Sequence, residues 1–121
     1  MKVLICDDDT MTLRAMEFQF KKDGFEVLKA TNGKEGQKFL SQNDDIAVLV
    51  TDIYMPMMNG LELITYVRQT MRSDIPIIVV SMVNLEDNIL QVFELGASSY
   101  LAKPFKLEEL SSSVKLLLKD E

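Results

Sequence analysis

Four short apolar runs in this chain of 121 residues end in groups equipped for chemistry. Val3–Cys6 is followed by Asp7, Asp8 and Asp9, and Ala47–Val50 by Thr51 and Asp52. Ile77–Val80 leads into Ser81, and Ser99–Ala102 leads into Lys103 and Pro104. Carboxylates gathered within a few ångströms raise one another's pKa unless a cation sits among them. Magnesium suits such a set: it is a hard ion that takes oxygen ligands and keeps waters to exchange with phosphate oxygens. A hydroxyl and an ammonium nearby can hydrogen-bond a phosphoryl group. An aspartate can itself be the nucleophile, forming an aspartyl-phosphate.

Composition removes the competing chemistries. The chain has no histidine, so Ser-His-Asp triads, histidine-bound zinc and imidazole acid–base catalysis are excluded. For the same reason any phosphodonor is expected to be another molecule. The single cysteine, Cys6, rules out a cysteine-rich zinc site and an internal disulfide, which fits a reducing cytoplasm. The net charge of −6, from 13 basic and 19 acidic residues, argues against a direct nucleic-acid surface. No apolar stretch approaches the roughly 18 residues of a membrane span. Lys2 is followed by too short an apolar run for a secretory signal.

The groups named above need elements to position them. A fifth run, Phe25–Leu28, ends in Lys29-Ala30-Thr31 and carries no comparable chemistry, so it is expected away from the site. Continuously apolar runs are expected for strands buried on both faces. Between the runs lie helix-like segments. Thr10 to about Lys22 carries Leu13, Met16 and Phe20, with Thr10 as the expected cap and Gly24 as the stop. Residues 33–42 form a weaker segment. Leu61 to about Met71 offers Ile64, Val67 and Met71 to a core. Asn84 to Leu95 opens on Asn84 and Asp87 as a cap, places Leu85, Ile89, Val92 and Phe93 on a core face with Leu90 to one side, and stops at Gly96. Leu107 to Lys119 repeats leucine and valine on one face. Strand and helix alternate five times, which predicts an α/β domain with a doubly wound parallel sheet spanning residues 1–121. Ligands of such sheets lie beyond the C-terminal ends of the strands, where the four reactive exits would meet.

At these residues the sequence resembles the receiver domain of bacterial two-component response regulators, the CheY-like family. The resemblance covers essentially the whole chain. It rests on Asp7-Asp8, Asp52 with Met55-Pro56 and Asn59-Gly60, Ser81, Gly96-Ala97 and Lys103-Pro104-Phe105. It implies a flavodoxin-like (βα)5 fold with strand order 2-1-3-4-5. It also implies that Asp52 is the phosphoacceptor. Asp7 and Asp8 would bind Mg2+ together with Asp52 and the backbone carbonyl of Tyr54. Ser81 and Lys103 would meet the phosphoryl group, with Ser81 and Tyr100 moving as the switch. The Lys103–Pro104 peptide would be cis, which proline makes tolerable.

The implied function is a signalling switch, not an enzyme acting on other substrates. A histidine kinase or histidine phosphotransfer protein would donate the phosphoryl group. The surface of the fourth helix, fifth strand and fifth helix would then bind a downstream protein or an output domain of the same protein. Two alternatives remain at this stage. One is a pseudo-receiver that is never phosphorylated. The other is a haloacid dehalogenase-type phosphohydrolase, whose motif Asp7 and Asp9 fit but Met11 does not.

Some residues read as structural. Asp9 is expected as a surface acid at a helix N-terminus, Cys6 as an inert buried thiol, and most methionines as packing. Ser98-Ser99 replaces an acidic pair usual in the winged-helix subfamily, which puts that subfamily's dimer in doubt. Tyr54 and Val83 occupy positions that tune hydrolysis in the family. Neither can orient an attacking water, so a long-lived phosphorylated form is expected. Met82 stands where relatives carry a small residue and is expected to narrow access to Asp52. Met82→Ala should therefore speed phosphorylation by a small phosphodonor; an unchanged rate in a time course would remove this role for Met82.

Overall fold

The structure is a computed structural model that describes residues 1–82 and 86–119. The expected roles of Val83, Asn84, Leu85 and the Asp87 side chain fall outside the described residues. The elements follow in the order β1 (Lys2–Cys6), α1 (Thr10–Lys22), β2 (Glu26–Ala30), α2 (Gly33–Gln42), β3 (Ile46–Thr51), α3 (Gly60–Thr65), β4 (Ile77–Ser81), α4 (Glu86–Leu95), β5 (Ser99–Ala102) and α5 (Leu107–Lys119). The strands form one parallel sheet in the order β2-β1-β3-β4-β5. The strand without reactive groups, β2, is thus at the edge, and the other four lie side by side.

Alternation along each central strand feeds two cores. Val3, Ile5, Val48, Val50, Ile78 and Val80 pack with Leu13, Met16 and Phe20 of α1 and with Leu110 and Val114 of α5. Leu4, Cys6, Leu49, Ile77 and Val79 face the other way, among Leu40, Leu63, Ile64, Val67 and Val92 of the remaining helices. Burial on both faces is why these strands are apolar without interruption.

Helix ends follow local chemistry. The cap of α1 is Asp9, not Thr10: Asp9 is extended (φ −90°, ψ 109°) and its carboxylate accepts the Met11 N–H, while Thr10 is already helical. At the far end the N–H of Gly24 donates to Lys21 and that of Phe25 to Phe20, with Gly24 at φ +95°. Gly96, at φ +117°, ends α4 in the same way, with Ala97 donating to Val92. Both are Schellman closures, whose left-handed position favours glycine.

Two helices depart from expectation. The third is α-helical only to Thr65 and widens into a π turn over Tyr66–Thr70. Arg68 pins this turn, donating from Nε to the Gly96 carbonyl at 3.0 Å and from a terminal nitrogen to the Ser73 carbonyl at 2.8 Å. In α4, Val92 is fully buried, but Phe93 is 44% exposed and is not a core residue. A core face spanning both Val92 and Phe93 would need α4 to roll toward the sheet; only Val92 points there.

α1 and α5 are stitched together at Asp23. Its carboxylate accepts from the Ser111 hydroxyl at 2.6 Å and the Gln19 amide at 3.2 Å, and lies 3.5 Å from the Lys115 ammonium. Burial works against the charge, but these donors outweigh it and hold the Asp23 carboxyl below the usual carboxylate range. A depressed carboxyl contributes stability above its unfolded pKa, and that contribution is lost as pH falls through the folded value. Asp23→Asn should therefore cost about 1 kcal/mol at neutral pH. In urea melts the gap to wild type should shrink as pH drops below about 4.

Candidate functional site

The site residues sit one step beyond the strands, where the sheet's hydrogen bonding still holds them. The Asp7 N–H donates to Ala30 at 3.0 Å, the Asp52 N–H to Cys6 at 2.9 Å, and the Lys103 N–H to Ser81 at 2.8 Å. Each accepting carbonyl belongs to the last residue of the neighbouring strand or, for Asp7, of β2. Parallel register therefore converges Asp7, Asp52, Ser81 and Lys103 at one edge.

The Lys103 ammonium bridges two carboxylates, at 2.6 Å from Asp7 Oδ2 and 2.9 Å from Asp52 Oδ2. Asp7 is fully buried, Asp52 nearly so, and the Lys103 side chain is 13% exposed. The other oxygens are held by backbone. Asp7 Oδ1 accepts the Asp9 N–H at 2.9 Å, and Asp52 Oδ1 accepts the Ile53 N–H at 2.6 Å and the Tyr54 N–H at 3.4 Å. Asp8 completes the cluster from its exposed side: one oxygen from each of Asp7, Asp8 and Asp52 lies within 4.8 Å of the others.

Electrostatics show what this cluster lacks. Burial pushes the Asp7 carboxyl above the ordinary value, although the Lys103 and Asp9 hydrogen bonds pull back. Burial also disfavours the Lys103 charge, yet its bonds to Asp7 and Asp52 prevail and raise its pKa. Asp7 thus favours its proton chiefly because it is buried, and Lys103 keeps its own because two carboxylates accept from it. Hard oxygen donors, close spacing and a surplus of negative charge fit a divalent cation such as magnesium.

The remaining predicted residues surround this centre. Ser81 is fully buried at the end of β4, and the half-buried Tyr100 shares a hydrogen bond with it. Burial raises the Tyr100 phenol, with the Ser81 bond opposing. Tyr54 is 55% exposed beside Asp52. Met82, 77% exposed, lines a groove of about 440 Å³ with Met11, Ala15, Lys103 and Phe105. Val83 lies outside the described residues. The Asp9 carboxylate is an exposed helix cap, as its surface reading implies, and Cys6 is buried with its thiol pushed up by desolvation and by Asp7. The Lys103–Pro104 peptide is cis.

One contributor went unremarked in the sequence beyond its place in a motif. A Cβ on Gly60 would run into the Asp52 carbonyl, and the Gly60 N–H donates to the Ile53 carbonyl at 2.7 Å. The start of α3 thus presses on the backbone of the acidic residue. The Asn-Gly pair is a cue to a cap, since Asn59 forms a capping box with Glu62, but not to this approach.

A doubly wound sheet with an acidic, lysine-bridged cluster at the carboxyl ends of its strands defines a class of signalling receiver domains. The chain belongs to the response regulator receiver domain family, whose model matches residues 3–115. It is 38% identical over 118 residues to the transcriptional regulatory protein PrrA of Mycobacterium tuberculosis, covering 98% of this chain and 50% of that protein. It therefore spans about half the length of that relative. It is 34% identical to the chemotaxis protein CheY1 of Helicobacter pylori (strain ATCC 700392 / 26695), covering 98% of this chain and 97% of that protein. Among solved structures, the receiver domain of a Francisella response regulator superposes with a TM-score of 0.89 at 30% identity, over 98% of this chain and 97% of that one. A CheY-like receiver from Methanospirillum hungatei gives 0.91 at 28%, over 98% and 94%. Among the described residues no helix is long and apolar enough to cross a membrane.

Gly60→Ala should force the Asp52 backbone or α3 to shift, at a cost of about 1–3 kcal/mol. Chemical denaturation should show the loss. A variant as stable as wild type would mean that the loop yields freely.

Proposed function

We propose that this receiver domain accepts a phosphoryl group on Asp52 from a histidine-bearing donor and passes the signal on by a change of surface. The reading is carried by one observation: Lys103 bridges Asp7 and Asp52 beside the buried Ser81, at the strand ends of a receiver fold. Asp52 Oδ1 is anchored by two backbone N–H groups, so Oδ2 is the oxygen that attacks phosphorus. The bond from phosphorus to the donor's imidazole nitrogen breaks, and the imidazole leaves. Lys103 and Ser81 then donate to the transferred group's oxygens. Asp7, Asp8, Asp52 and the Tyr54 carbonyl would hold Mg2+, which neutralises charge developing on the phosphoryl oxygens.

Switching follows from the same contacts. Ser81 shares its hydroxyl with Tyr100, so a Ser81 that turns to the phosphoryl group changes what holds Tyr100. Tyr100 lies on the edge strand β5 and packs against the core that holds Val92 of α4, the helix on which Leu90 and Phe93 are exposed. That apolar face supports a protein contact whose population shifts on phosphorylation. The partners are a cytoplasmic histidine kinase or phosphotransfer protein and a downstream protein or linked output domain. Tyr54 and Val83 would tune hydrolysis.

Incubation with Mg2+ and a small phosphodonor should add one phosphoryl mass to the intact protein. Asp52→Asn should abolish the gain while Asp7→Asn leaves labelling detectable. Labelling that survives in Asp52→Asn and vanishes in Asp7→Asn would overturn the assignment.

A further inference from the structure

The sequence of α4 supplies nothing to hold its own C-terminal end. The helix contains no basic residue and puts Glu94 in its last turn, where the helix dipole favours a cation. The Gly96 and Ala97 N–H groups satisfy the Phe93 and Val92 carbonyls, at 3.1 and 2.9 Å. The Gly96 carbonyl just beyond them accepts from Nε of Arg68 at 3.0 Å. A cation from another element therefore stands at the negative end of α4.

Arg68 is firmly placed for this contact. It lies in the π turn directly after Val67, which is fully buried in the core. A terminal nitrogen donates to the Ser73 carbonyl at 2.8 Å, so the guanidinium joins a segment before β4 to one after α4. Burial weighs against its charge, with Asp74 opposing, and its hydrogen-bond acceptors are both backbone carbonyls. A guanidinium suits the task, because it keeps its charge and presents its donors in a fixed plane. Gly96 makes the room: a Cβ there would meet Arg68 Cγ at 2.8 Å and Nε at 2.9 Å. Gly96 thus serves twice, by its φ of +117° and by admitting the arginine.

We infer that Arg68 is the C-terminal cap of α4, supplied from the π turn, and is the positioning residue that fixes the end of the helix bearing exposed Leu90 and Phe93. One side chain then couples the end of the third helix to the placement of the α4 surface. Losing it should loosen α4 ahead of the sheet.

The test is hydrogen exchange on the whole chain, read by mass spectrometry, with Arg68→Met. Methionine keeps the apolar stem and removes the donors and the charge. Protection over residues 92–97 should fall about tenfold or more, because hydrogen bonds from a charged group are lost. Protection of β1 and β3 should fall by less. Arg72→Met removes an exposed arginine from the same segment and should leave α4 as in wild type. Unchanged protection over residues 92–97 would overturn the inference. So would an equal loss in β1 and β3, or the same loss in Arg72→Met. Urea melts of Arg68→Ala, Gly96→Ala and the double variant give a second readout. Alanine at position 96 bears the left-handed backbone in either background, but it meets the arginine in only one. The midpoint of the double variant should therefore fall by less than the two single falls together. An additive fall, or a double variant that cannot fold when both single variants do, would overturn the shared contact. If Arg68→Met does not fold, the exchange comparison is made on Arg68→Lys, which keeps charge without the planar fork and should lose protection in the same place. Failure of both to fold would overturn a role local to α4.

Discussion

Everything in this domain is organised around charge crowded at the end of a parallel sheet. Two carboxylates, Asp7 and Asp52, are almost wholly withdrawn from water, and one ammonium lies between them. An unpaired charge at such depth is expensive, so the folded state needs Lys103 where it is. Yet the match is incomplete, because a third carboxylate shares the cluster. Burial raises the Asp7 carboxyl, and the two carboxylates raise Lys103. The site is held together well enough to fold, and its unmet negative charge makes it receptive to another cation.

The rest of the fold makes this juxtaposition rigid. Three ladder bonds continue past the strands and fix the backbones of Asp7, Asp52 and Lys103. Two separate cores clamp the sheet from both sides, so the strand ends cannot drift without disturbing packing. Gly60 lets α3 press against the Asp52 carbonyl. The loop between them contains Met57 at φ 70°, with the Met58 N–H donating back to Pro56 at 2.7 Å. A γ-turn with a side chain in the left-handed region is unusual, and it sits where the backbone must double back within a few residues of Asp52.

The opposite side of the site is less tied down. Tyr100 is half-buried, β5 is an edge strand, and α4 turns Leu90 and Phe93 outward. Arg68 links the π turn after α3 to the Gly96 carbonyl at the end of α4. Ser81 shares a hydrogen bond with Tyr100, and Tyr100 packs against the core that holds Val92 of α4.

The sequence by itself determined the alternation of strands and helices, the double-sided burial of the central strands and the two glycine stops. Periodicity and φ requirements are local, so Leu13, Met16 and Phe20 or Gly24 and Gly96 declare themselves. The reactive exits were legible for the same reason: Asp7, Asp52, Ser81 and Lys103 each follow an apolar run. Strand order came from the resemblance, since spacing alone does not rank strands in a sheet. Tertiary structure decided what spacing could not. Asp9 caps α1 in place of Thr10 because backbone angle, not residue type, chooses between two good capping side chains. Phe93 is exposed because the roll of α4 depends on its neighbours. The bridge from Lys103 to Asp7 and Asp52 spans most of the chain length, and only the sheet's register brings those side chains within hydrogen-bond distance.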